Sequence, residues 1–98
     1  MSGIVIMHSF KLRDGVSVED FMLAADAVQN NVKKDYSYQL LRDGDKWADM
    51  CIWETEADFQ NFIKNMGAVV NNPYIKEFQS YLDQKSISRY RFSVEKSY

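Results

Sequence analysis

Several residue types are scarce in this chain, and each scarcity excludes something. Of 98 residues, one is cysteine, one proline, one histidine and four are glycine. A lone Cys51 cannot form an intrachain disulfide; in an apolar strand it reads as a packed small side chain in a reducing compartment. A strongly basic face is missing too. The formal charge is −2 and the pI about 5.3, and the one basic cluster, Lys85, Arg89, Arg91 and Lys96, is interrupted by Glu95. Nucleic-acid binding, which needs cations to neutralise phosphates, is therefore not expected. Long apolar runs are lacking as well. Met1 to Phe10 has no positive leader, and Ile4–Met7 is too short for a signal peptide or membrane span, so a cytoplasmic protein without membrane contact is expected. One histidine and one cysteine make no metal constellation, and no phosphate loop, serine-nucleophile motif or nucleotide fingerprint is present. Neither cofactor nor metal is expected.

What the chain does have is aromatic side chains. Six Tyr, six Phe and two Trp make up 14% of it, enough to line surfaces beyond a minimal core. The local pattern reads as alternating strands and helices. Ile4 to Leu12 is a β-prone run closed by the turn signal Arg13-Asp14-Gly15. Ser17, with Asp20 three residues on, forms a capping box before a helix carrying Val18, Phe21, Met22, Ala25, Val28 and Val32 at helical spacing to about Lys33. Tyr36–Arg42 and Lys46–Trp53 flank Asp43-Gly44-Asp45, a hairpin signal. Thr55 and Asp58 form a second capping box, opening a helix with Phe59, Phe62, Ile63, Met66 and Val70 on one face, with Gly67 as a candidate early stop. Asn72-Pro73 caps a third helix with Tyr74 or Ile75, Phe78, Tyr81 and Leu82 inward. Ile87 to Glu95 alternates Tyr90, Phe92 and Val94 against Arg89, Arg91 and Ser93, a last strand with one wetter face.

The order is β-α-β-β-α-α-β, a ferredoxin-like split βαβ of the α+β class with a four-stranded antiparallel sheet. No linker, repeat or low-complexity segment divides it, so one domain spanning residues 1–98 is expected. Helices cover one sheet face and ordinarily leave the other wet. Here both faces are apolar: Trp47, Cys51 and Trp53 alternate with Ala48, Met50 and Ile52, and Ile4, Ile6, Phe10 and Leu12 with Val5 and Met7. A second copy of the same sheet is the simplest cover, which predicts a homodimer joined through its sheet faces.

With these elements in this order, the chain resembles the dimeric α+β barrel superfamily, in particular the antibiotic biosynthesis monooxygenase-like proteins. The marks are the runs Gly15-Val16-Ser17-Val18-Glu19-Asp20-Phe21 and Trp53-Glu54-Thr55-Glu56-Ala57-Asp58-Phe59. The resemblance implies a small-molecule pocket between sheet and helices. It also implies, for an enzyme, cofactor-independent oxygenation of a phenol, quinol or polyketide-like aromatic. In the family's haem degraders, the tryptophan matching Trp53 walls the porphyrin, a strand-one asparagine contacts it and a later histidine ligates iron. This chain has no histidine beyond Trp53 and offers His8 on strand one, so haem degradation is disfavoured; Tyr74 and Tyr81 are the remaining conceivable iron ligands. The alternative to an enzyme is a non-catalytic homodimeric ligand-binding or interaction module.

His8 is the one side chain here that ordinarily titrates near neutrality. Period-two alternation places it with Ile4, Ile6, Phe10 and Leu12, facing an enclosed space. It reads either as a buried neutral imidazole bonded to Tyr, Ser or backbone, or as the catalytic base. The expected ligand pocket is Trp53, Tyr38, Phe59, Phe62, Tyr74 and Tyr81. Helical spacing accounts for Phe59, Phe62 and Phe78 equally well as core. Tyr36 and Tyr38 share a strand face, at a dimer seam or over a ligand, and Arg89 and Arg91 are candidates to meet an acidic substrate or oxyanion. The carboxylates of Glu54, Glu56 and Asp58 belong to a helix start.

Overall fold

Three polar side chains start the longer helices at the expected places. Ser17 Oγ accepts from the Asp20 amide at 3.0 Å and Thr55 Oγ1 from the Asp58 amide at 3.1 Å. Asn72 Oδ1 accepts from Tyr74 at 2.9 Å and Ile75 at 3.4 Å, with Pro73 in the first turn, where its missing N–H costs nothing. Each such cap contributes about 1 kcal/mol.

The computed structural model describes residues 3–98, so Met1 and Ser2 of the expected domain lie outside the described residues. Its order is β1 (Ile4–Phe10), α1 (Val18–Asn31), β2 (Ser37–Asp43), β3 (Lys46–Trp53), α2 (Glu56–Lys64), α3 (Met66–Val70), α4 (Pro73–Ser80), a 3-10 turn (Gln84–Ser86) and β4 (Ser88–Ser93). The four strands form one antiparallel sheet in the order β2-β3-β1-β4, the ferredoxin-like arrangement. The β2–β3 hairpin turns through Gly44 at φ +65, a left-handed conformation that glycine adopts without strain.

Several boundaries differ from the sequence pattern, each for a local reason. Strand β1 stops at Phe10 rather than Leu12, because Lys11 turns to the 3-10 segment. The Lys11 amide donates to Ser86 Oγ at 2.8 Å, its carbonyl accepts from Asp83 at 2.8 Å, and Leu12 forms an isolated bridge with Leu82. Helix α1 ends at Asn31, whose side chain donates to the Ala27 carbonyl at 2.8 Å, and Val32 is extended; Lys33 and Lys34 therefore lie past the helix. The second helical region breaks at Asn65, not Gly67. Asn65 donates from its side chain to the Asn61 carbonyl at 2.9 Å and closes α2 with a tighter amide bond to Phe62 at 3.0 Å, the competition with the backbone expected of Asn. This makes three helices after β3 instead of two. The last strand is shorter than Ile87–Glu95, although the Val94 amide still donates to Gly3 at 2.9 Å. A Cβ on Gly3 would stand 2.8 Å from the Trp53 carbonyl oxygen, so the sheet requires glycine there.

Cross-strand register settles which side chains face the helices. In antiparallel strands, paired residues share a face. Ile4, Ile6, His8 and Phe10 pair with Trp53, Cys51, Asp49 and Trp47, and on the other side with Ser93, Arg91 and Arg89. Arg89 and Arg91 thus lie on the helix side, and it is Tyr90 and Phe92 that join Val5, Met7, Ala48, Met50 and Ile52 on the open face. Two core clusters form under the helices. One gathers Ile4, Ile6, Trp53 and Phe59; the other gathers Phe10, Phe21, Trp47 and Leu82. Between them on the sheet lie His8 and Asp49, so the core divides around a polar centre.

Candidate functional site

Across the middle of the sheet, register places Leu40, Asp49, His8 and Arg89 in one row, one from each strand. Asp49 is the buried charged residue of the described part, at 7% exposure. Its two carboxylate oxygens are both engaged. His8 Nδ1 lies 2.9 Å from Oδ1, and the Tyr38 hydroxyl donates to Oδ2 at 2.9 Å. His8 is the direct cross-strand neighbour of Asp49, whereas Tyr38 sits opposite Cys51 and reaches Asp49 diagonally, a span within reach of an aromatic side chain.

An ionised carboxylate can only accept, so Nδ1 carries the proton in this pair. The neutral ring then keeps its free lone pair on Nε2, which makes no hydrogen bond among the described residues. This is the arrangement of a general base held by an acidic partner. Tyr38 keeps its proton. Burial, the Asp49 charge and the hydrogen bond to Asp49 all raise its phenol far above the ordinary value, so it stays a donor. Tyr36 is pushed up to about 12 and the Cys51 thiol also to about 12, in both cases mainly by burial. Cys51 is thus an unreactive thiol near neutrality, as its packing role requires.

Above this row is a cavity of about 380 Å³, between the sheet and the helices. His8, Tyr38, Asp49 and Arg89, with Gln29 and Gln79, are among its polar lining, and Ile6, Val28, Trp53, Phe59, Phe62 and Ile75 are among its apolar walls. A largely apolar cavity with a few convergent polar groups is the usual form of a small-molecule site. Trp53 forms a wall with tightly packed neighbours: its ring centroid lies 4.9 Å from Tyr36 and Phe62 and 5.0 Å from Phe59. Its buried indole N–H has no acceptor among the described residues.

Of the pocket residues expected from sequence, Tyr38, Trp53, Phe59 and Phe62 line this cavity together with His8. Tyr74 and Tyr81 do not. Tyr74 is 38% exposed on α4, and Tyr81, as the C-cap of α4, packs with Phe10, Phe21 and Trp47. Neither stands over the cavity where an iron ligand would be needed. Tyr36 and Tyr38 face the helices rather than a seam. The residue that sequence reasoning missed is Asp49. Its signal was its phase: a lone acid at the inward position between Trp47 and Cys51 in an otherwise apolar alternation. Among the described residues, no group of three or more His, Cys, Asp or Glu side chains could hold a metal ion. No helix of the described residues is long and apolar enough to cross a membrane.

No protein-family model matches the chain, and no curated protein matches it in sequence. Solved structures do match. A mutant of SnoaB, a cofactor-independent oxygenase from Streptomyces nogalater, superposes with a TM-score of 0.69 at 10% identity, over 97% of this chain and 95% of that one. A dimeric ferredoxin-like protein from an uncultured marine organism gives 0.67 at 6% identity, over 100% and 92%. A protein from Chloroflexus aurantiacus assigned as an antibiotic biosynthesis monooxygenase gives 0.63 at 8% identity, over 98% and 96%. The chain shares the ferredoxin-like α+β fold of these solved structures. At these identities the likeness establishes fold and leaves the chemistry to the site.

Proposed function

We propose that the protein binds a small aromatic molecule in the cavity and uses His8 as a general base toward it, in a cofactor-independent monooxygenation. The observation that carries this reading is the Tyr38–Asp49–His8 hydrogen-bonded chain at the polar end of an apolar cavity of about 380 Å³. The likeness in fold to a cofactor-independent oxygenase supports the oxygenation step. For a ring CH₂ conjugated to a carbonyl, as in anthrone, His8 Nε2 takes one proton, the carbanion adds dioxygen, and the imidazolium returns the proton to give a hydroperoxide. Loss of the second proton then breaks the O–O bond. One oxygen stays as a carbonyl, the other leaves as water, and the carbon is oxidised by as many electrons as dioxygen gains.

The assembly that goes with this reading is a homodimer of two single-domain chains, packed through the open sheet faces. Tyr90 and Phe92 are 43% and 53% exposed there, beside the half-buried Val5, Met7, Met50 and Ile52. A non-catalytic homodimeric ligand-binding or interaction module is the second reading, and the close packing of Trp53 on three aromatic rings favours its scaffold form.

Oxygen uptake with anthrone as probe separates them. Uptake above the buffer rate is expected, with His8→Gln lowering it by about 10²-fold or more. An unchanged rate in that variant removes His8 as the base. No uptake by the wild-type protein, with anthrone still bound, supports the binding module.

A further inference from the structure

Arginines on the helix side of the sheet are not equivalent. Arg42 donates from Nε to the Gly44 carbonyl at 2.8 Å and lies over the Trp47 ring at 5.0 Å. Arg91 reaches Glu56 at 3.4 Å and lies over the Phe59 ring at 4.8 Å. Arg89 has neither a carboxylate nor a ring partner among the described residues, yet it is Arg89 that lines the cavity. It is also the cross-strand partner of His8, on the side opposite Asp49. Directly opposed residues bring their Cβ atoms to roughly 5 Å. A permanent cation therefore flanks the proposed base, and among the described residues no side chain or carbonyl engages its guanidinium.

We infer that Arg89 is the oxyanion-binding residue of the cavity. On this view the ligand is an aromatic whose acidic hydrogen lies on a ring oxygen or on a carbon conjugated to one: a phenol or an enolisable ring ketone. This inference rests on the reading of His8 as base. When the proton moves to His8 Nε2, the electron pair left behind delocalises onto that oxygen as a phenolate or enolate. The new imidazolium faces the Asp49 carboxylate through Nδ1–H, and the new oxyanion faces the Arg89 guanidinium. Each charge created by the transfer meets an opposite charge already in place, which is how preorganised sites lower such barriers. Arg89 is exposed, and an exposed guanidinium is surrounded by water. A bound aromatic displaces that water and strengthens the pairing.

Two probes of nearly the same shape test this. 4-Nitrophenol ionises to a coloured phenolate, whereas 4-nitroanisole cannot ionise. The wild-type protein is expected to bind the phenolate more tightly than the anisole and to lower the pH at which the bound phenol colours. Arg89→Gln should weaken phenolate binding about tenfold or more, the loss of a charge-assisted bond, and leave the anisole affinity unchanged. Arg89→Lys, which keeps the charge, should retain part of the preference. Equal phenolate affinity in wild type and Arg89→Gln overturns the role of Arg89 while the cavity reading stands. Failure of both probes to bind the wild-type protein overturns the cavity reading and this inference with it.

Discussion

Asp49 shows how much one residue constrains its surroundings. Removing a carboxylate from water costs several kcal/mol, and it is tolerable here because two donors satisfy it. The hydrogen bond from Tyr38 to the ionised carboxylate contributes about 1.5–3 kcal/mol by itself. Asp49→Asn keeps the shape and can still accept from Tyr38 through its amide oxygen. Its nitrogen, however, would donate to His8 Nδ1 and force the ring proton onto Nε2, the atom proposed to act as base. The expected outcome is a folded protein with a modest drop in stability, and proton abstraction reduced by about 10²-fold or more. Deuterium exchange at the CH₂ of bound anthrone, followed by NMR, measures this without requiring dioxygen. Exchange at the wild-type rate would show that the tautomer does not matter.

At the level of elements, the inward faces of β3 and the chain leading into β2 carry the groups whose ionisation burial opposes. Cys51 on β3 and Tyr36 just before β2 both hold their protons to about 12, against ordinary values of 9.0 and 10.0. The unfolded chain releases these protons first as pH rises, so it binds fewer protons than the folded protein in that window. Stability should therefore be unaffected by these groups below pH 9 and fall between about 9 and 12. Thermal melts from pH 8 to 11 are expected to show the fall, with a shallower slope in a Cys51→Ala, Tyr36→Phe double variant. Identical slopes in the two proteins would rule these side chains out as its source. The helices on the same side were legible in sequence because capping and 3.6-residue spacing are local. Their ends were less so. Asn31 and Asn65 cut helices short through side-chain bonds to carbonyls four residues back, and any Asn in a helical pattern looks alike before folding.

At the scale of the whole molecule, the proposed homodimer rests on the open sheet face. Met7 and Met50 are cross-strand partners at the middle of that face, flanked by Val5, Ile52, Tyr90 and Phe92. Light scattering on the eluting protein should give twice the 11.5 kDa chain mass. Met50→Glu puts a charge in the proposed seam and should return the mass to that of one chain, with the circular dichroism of the fold retained. A wild-type protein that elutes as a single chain at micromolar concentration would end the dimer reading. Solved structures of similar fold include dimeric ferredoxin-like proteins.

Sequence by itself determined the element types, the hairpin, the three longer helix starts and the two-faced character of the sheet. All of these follow from interactions between residues a few positions apart, or from alternation along one strand. It also singled out His8, because rarity is visible without a fold. Only the tertiary structure decided what His8 meets. Asp49 lies 41 residues away and Arg89 still farther, and their meeting depends on the register of three strands. A one-residue slip in β3 or β4 would send either side chain to the other face. The wetter face read along β4 became the cavity side for the same reason: alternation tells that two faces differ, and only pairing with β1 tells which of them the helices cover.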